Sequence, residues 1–182
     1  MKPIDFEHEY LNCVYDLMEH EAVRSMSRLP QHRAGVSCYD HSLLVSYGSW
    51  RVCRALGLNS RAAARGGLLH DFYLYNWQDR HSHPGVRHAF QHPEIALKNA
   101  RARFFITDTE ADIIRSHMFP LTITRPHRTL EAAVVGVMDK LCAAAELLGL
   151  LTPLAEAYRS VHADMPQVQD ARWTPAPVRR AG

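Results

Sequence analysis

Gly66-Gly67-Leu68-Leu69-His70-Asp71-Phe72 sets an imidazole and a carboxylate side by side in an otherwise apolar run. Such groups are costly to desolvate unless something pairs with them. The small residues upstream, Arg61 to Leu69, suit a helix capped by Asn59 or Ser60, with His70-Asp71 delivered at its end. Three more histidines and one more aspartate, His41, His92, His117 and Asp139, stand in similarly apolar settings. Four imidazoles and two carboxylates are a ligand set for a two-metal centre. Residues at helix ends and on inner faces of a bundle can converge on one point.

Outward from that doublet the chain reads as a row of helices. Leu11, Val14, Tyr15 and Met18 follow helical spacing, and a polar loop runs from Arg28 to Gly35. Ser37 with Asp40 forms a capping box that opens a helix carrying His41, Leu44, Val45, Gly48 and Val52 on one face and stopping near Gly57. Tyr73 to Gln91, with its Pro84-Gly85, reads as a long functional loop. His92-Pro93 is expected to begin the next helix, since proline suits a first turn. Thr107 with Glu110 makes a second capping box ahead of Ile113, Ile114 and His117, and Leu130 to Leu150 is the most apolar helix. Thr152-Pro153 is expected to start a short last helix. The expectation is an all-α, single-domain bundle of six to eight helices over residues 1–162, with its core at about 30–148 and a flexible tail at 163–182.

The bulk numbers fit that picture. At 182 residues, 47% hydrophobic and 22% charged, the chain can bury one core. A net charge of +2 gives no case for specific nucleic-acid binding or an anionic membrane surface. No apolar run approaches the roughly 20 residues that span a bilayer, and Met1 to Asp5 lacks a signal-peptide core, so the expected location is cytoplasmic. The four cysteines form no Cys-x-x-Cys pair; Cys13, Cys53 and Cys142 fall on apolar stripes as core residues. A homodimer stays open.

Taken singly, each candidate has a plainer reading. Asp139, on a stripe with Val135, Cys142 and Glu146, needs either a cation or a pairing with Lys140 or an arginine. His41 could be a satisfied core histidine, His92 a helix cap, and His117 a complement to a helix dipole. Six nitrogen and oxygen ligands without a thiolate favour two divalent ions of the Fe or Mn kind, with Mg, Co or Ni open, over a structural zinc.

The ordered set, His41 in Tyr-Asp-His-Ser-Leu, His70-Asp71 in Leu-Leu-His-Asp-Phe and Asp139 in Val-Met-Asp-Lys, resembles the HD-domain superfamily of metal-dependent phosphohydrolases. His92 in His-Pro-Glu-Ile-Ala and His117 in Arg-Ser-His-Met resemble the extra histidines of its binuclear members. The resemblance covers about residues 30 to 148 and implies a core of about five helices. It implies that His41, His70, Asp71 and Asp139 form a primary site, and that Asp71 bridges to a second ion on His92 and His117. The chain departs from the HD-GYP class. Leu74 stands where that class has lysine three residues after the doublet, and no Gly-Tyr-Pro occurs, which argues against cyclic di-GMP.

The activity implied is hydrolysis of a phosphate ester or anhydride, of a nucleotide or dinucleotide, by a metal-activated hydroxide that Asp71 orients. Arg33, His88 and Lys140 are the candidates for contacting the substrate, each with a plainer reading as a surface or loop charge. Lys140 projects about 100° around its helix from Asp139. His32 carries low weight, and His81 and His83 read as solvent-facing. Trp77 and Phe90 could stack on a base. The alternatives are an HD-fold di-iron oxygenase and a non-catalytic nucleotide-binding sensor.

Overall fold

A computed structural model describes residues 3–33 and 35–150, with side chains from His8 onward. Among the described residues there are seven α-helices, two short 3-10 turns and no β-strand. The helices are α1 (Pro3–Met18), α2 (Glu21–Arg24), α3 (Cys38–Ala55), α4 (Ser60–Leu69), α5 (His88–Arg101), α6 (Asp108–Ser116) and α7 (Leu130–Leu147).

The glycine-rich helix α4 is the axis of the bundle and packs against α1, α3, α6 and α7. Ala62 to Leu69 are all buried. A Cβ on Gly67 would lie 2.9 Å from the Ser46 Cα, and one on Gly66 would lie 2.7 Å from Ile113 Cγ2. Glycine therefore sets how closely α3 and α6 approach α4. Arg65, buried within that helix, is paired with Asp16 at 2.6 Å and Glu110 at 3.0 Å.

Local signals position the helices that carry the candidate site. Asn59 accepts the Ala62 N–H at the start of α4. The Ser37–Asp40 and Thr107–Glu110 capping boxes both form, at the starts of α3 and α6. Asp112 in α6 accepts the backbone N–H groups of Arg128 and Thr129, each at 2.9 Å, which ties the start of α7 to α6.

Two expectations need correction. In α1 the buried stripe is Tyr10, Val14, Leu17 and Met18, while Tyr15 is 58% exposed. The helix α5 begins at His88, so Pro93 lies inside it rather than at its entrance. The extra turn forms because the Arg87 carbonyl accepts from Phe90 and Gln91 N–H, and the Gln91 side chain accepts the Arg87 N–H. The Tyr73–Gln91 loop is shorter by that turn. The expected helix after Thr152-Pro153 and the tail at 163–182 lie outside the described residues. No described helix is long and apolar enough to cross a membrane.

Candidate metal centre

The fold brings all six candidate residues to one buried point. His41 comes from the first turns of α3, His70 caps the end of α4 with Asp71 following, His92 sits in α5, His117 caps the end of α6, and Asp139 is in α7. Ligand atoms lie within 4.8 Å of one another in each of three groups: His41, His70 and Asp71; His70, His117 and Asp139; Asp71, His92 and His117.

The orientation of the four rings is the informative part. His70 Nδ1 donates to the Gly67 carbonyl at 2.7 Å, His92 Nδ1 to that of His88 at 2.8 Å, and His117 Nδ1 to that of Ile114 at 2.8 Å. His41 Nδ1 meets Glu146 Oε1 at 2.5 Å. Each outward bond fixes a tautomer and turns Nε2 inward, as outer partners do around a metal. His70 Nε2 is buried with no hydrogen-bond partner, and it faces Asp71 Oδ2 and Asp139 Oδ1 at 3.5 Å each. Burial opposes a charge on this ring, but Asp71 and Asp139 push His70 up, so Nε2 faces the two carboxylates either as a protonated donor or across a cation.

Asp71 divides its oxygens between two groups. Its Oδ2 lies toward His70, whereas Oδ1 lies 3.3 Å from His92 Nε2 and 3.6 Å from His117 Nε2. Asp139 Oδ1 completes the first group at 3.1 Å from His41 Nε2.

The electrostatics call for positive charge. Burial opposes ionisation of Asp71, but His70, His92 and His117 outweigh it and hold the carboxyl well below the usual range. Asp139 is likewise held low, against burial, by His41 and His70. Burial works against a charged His41, yet its hydrogen bonds to Asp139 and Glu146 push it up to about 10. His117 is pushed down to about 3 by burial and by His70 and His92. The buried carboxylates therefore retain their charge and draw a proton onto His41, a compensation that divalent cations could supply instead.

A cavity of about 600 Å³ opens onto this point, lined among others by Gln31, His32, Trp77, His88, Leu121 and Lys140. Lys140 Nζ donates to the carbonyls of His117 at 2.7 Å and Gly136 at 3.0 Å, and lies 3.6 Å from Asp139 Oδ2. Its helical offset from Asp139 thus leaves it on the cavity wall. His88 stacks between Trp77 (centroids 5.4 Å apart) and His92 (4.5 Å), and its Nδ1 meets the Tyr75 hydroxyl at 2.9 Å. Burial and His92 push His88 down to about 4.

Other expected residues lie elsewhere. Arg33 is exposed, with its guanidinium on the Leu147 carbonyl at 3.3 Å, and does not line the cavity. His32, given low weight, does line it, with its ring 5.4 Å from that of His41. His83 is buried, not solvent-facing, and its Nε2 meets the Trp77 carbonyl at 3.0 Å. His81 is exposed as expected; Phe90 is half-exposed and off the wall.

Two residues escaped the sequence reading. Gln31 is buried and donates Nε2–H to Asp71 Oδ2 at 2.8 Å. Glu146 is buried against His41. Its seven-residue spacing from Asp139 placed it on the same stripe, and that was the one available signal.

Fold and site together define a class: an all-α protein whose helix ends gather histidines and aspartates compatible with a metal site. The chain belongs to the HD domain family, whose model matches residues 38–144, more than half of the chain. Comparison with curated proteins and with solved structures gave no significant match. Membership places the chain in a superfamily of metal-dependent hydrolases.

Proposed function

We propose that this protein is a metal-dependent phosphohydrolase that cleaves a phosphate ester or anhydride, of a nucleotide or dinucleotide, at a two-metal centre. The carrying observation is the divided Asp71 carboxylate, one oxygen toward His70 and the other toward His92 and His117. In this reading His41, His70, Asp71 and Asp139 hold one divalent ion, and Asp71, His92 and His117 hold the second. Fe or Mn fits the thiolate-free donor set best.

When bound, such ions acidify water and neutralise phosphoryl charge. The chain's own groups do the rest. Asp71, held by Gln31, orients the attacking water. Lys140 presents an ammonium on the cavity wall for phosphoryl oxygens. His88 is neutral at working pH and serves as a hydrogen-bonding group, while Trp77 offers an aromatic face to a base. A cavity of about 600 Å³ falls in the usual range for small-molecule sites.

The test is anaerobic loading with Mn, followed by a screen of nucleotides, dinucleotides and generic phosphodiesters. Phosphate release that Asp71→Ala abolishes supports the reading. Oxygen consumption by the Fe-loaded protein without hydrolysis would replace it with the oxygenase alternative. Absence of stoichiometric metal binding would leave the sensor.

A further inference from the structure

Apart from the six candidate ligands, the cavity wall is short of charge. Among the described residues, Lys140 is the one lysine or arginine on it. An ammonium has three donors, and two of those on Lys140 are spent on the His117 and Gly136 carbonyls at 2.7 and 3.0 Å. Arg33 and Arg125 lie off the wall, engaged by the Leu147 carbonyl and by Glu94 at 3.2 Å. A di- or triphosphate chain carries more negative charge than one ammonium offsets, and burying the surplus is costly.

The uncharged polar groups of the wall are largely committed to the protein itself. Gln31 Nε2 is on Asp71 at 2.8 Å, and its Oε1 accepts from the Tyr73 hydroxyl at 3.3 Å. Trp77 Nε1 donates to the Pro30 carbonyl at 3.1 Å, and His88 Nδ1 is on the Tyr75 hydroxyl at 2.9 Å. Groups spent in this way do not read the hydrogen-bonding edge of a base. Beside them Ala89, Met118, Pro120, Leu121 and Ala143 add apolar surface. Leu121 is 54% exposed, an apolar side chain that a ligand in the cavity can cover.

We infer that the ligand of this site is a phosphate ester with a single phosphoryl group on an uncharged organic part, which the wall holds by packing rather than by base-specific hydrogen bonds. A nucleoside monophosphate falls within that class, whereas a nucleoside triphosphate or a dinucleoside polyphosphate does not. For its chemistry the inference rests on the phosphohydrolase reading, which it narrows from esters and anhydrides to esters. In that reaction a water oxygen bonds to phosphorus and the P–O bond to the organic group breaks. The leaving oxygen takes up a proton from the water, giving an alcohol and a phosphate.

Two series on the Mn-loaded full chain test it. In calorimetric titrations benzylphosphonate should bind at least about tenfold more tightly than methylphosphonate, because its ring covers apolar wall. Leu121→Asp should narrow that ratio. In phosphate-release assays kcat/KM for adenosine monophosphate should exceed that for ATP by about tenfold or more, and adenosine and uridine monophosphates should agree within about threefold. Equal affinity for the two phosphonates would overturn the inference, and so would ATP or a dinucleoside polyphosphate turned over as well as the monophosphate. If no ester is hydrolysed while benzylphosphonate keeps its advantage, the hydrolase reading fails and the ligand class stands.

Discussion

His92 Nε2 and His117 Nε2 face each other at 2.9 Å while both rings donate Nδ1–H to main-chain carbonyls. With each Nδ1 spent on a carbonyl, the two Nε2 atoms converge on one point, an arrangement that suits a shared cation. Divalent metal should therefore stabilise the fold. At about 100 times Kd the gain is about 2.7 kcal/mol, read as a rise in Tm on adding Mn and its reversal by chelator. Asp139→Asn should lose most of that gain. An unchanged Tm would count against the arrangement.

Asp71→Ala should eliminate turnover and leave helical content intact, because the carboxylate contacts imidazoles and Gln31 rather than core side chains. Circular dichroism beside an activity assay separates the two effects. Retained turnover would remove Asp71 from the chemistry.

Glu146 acts on the centre through His41. Its Oε1 fixes the His41 Nδ1–H and so aims Nε2 at Asp139. Glu146→Ala should weaken metal binding by about 10- to 100-fold, the usual cost of losing an outer partner. Glu146→Gln, which keeps an acceptor, should recover part of it. Calorimetric titration with Mn reads both, and equal affinities across the series would show that Glu146 only packs.

The parts of the fold that were legible in the sequence are those fixed locally. The Ser37 and Thr107 capping boxes each join residues three positions apart, and the small-residue run of α4 declares its close packing. The start of α5 was misplaced because the first-turn preference of proline is a tendency, and here Gln91 and the Arg87 carbonyl support an added turn upstream. Tyr15 fits the helical period as well as Tyr10 does, and only the neighbouring elements decide which is buried. Within the site, the candidate residues stood out as polar groups in apolar runs. The partners Gln31 and Glu146 did not, because their roles depend on contacts 40 and 105 residues away. Arg33 shares a loop with His32 and Gln31, yet its guanidinium is taken by the end of α7.

Gly67→Ala should destabilise by about 1–3 kcal/mol, as overpacking does, since its Cβ would press on the α3 backbone at Ser46. Gly57→Ala meets open space but sits at φ +69, so it should cost only about 1 kcal/mol. Urea denaturation of both variants checks the order, and a reversal would mean that α3 and α4 can separate cheaply.

Lys140 and Arg33 should behave differently. Lys140→Met removes the ammonium from the cavity wall and should lower kcat/KM by about tenfold or more, equivalent to roughly 1.4 kcal/mol of lost transition-state binding. Arg33→Ala should leave kcat/KM nearly unchanged. Equal losses in both would show that the loop carrying Arg33 closes over the substrate.

The most direct measurement is metal content per chain after reconstitution with Mn and removal of excess, for wild type and for His92→Ala. The account predicts two ions per wild-type chain and one in His92→Ala. Fewer than one ion in the wild-type protein, or the same content in both, would contradict a centre built on a shared Asp71.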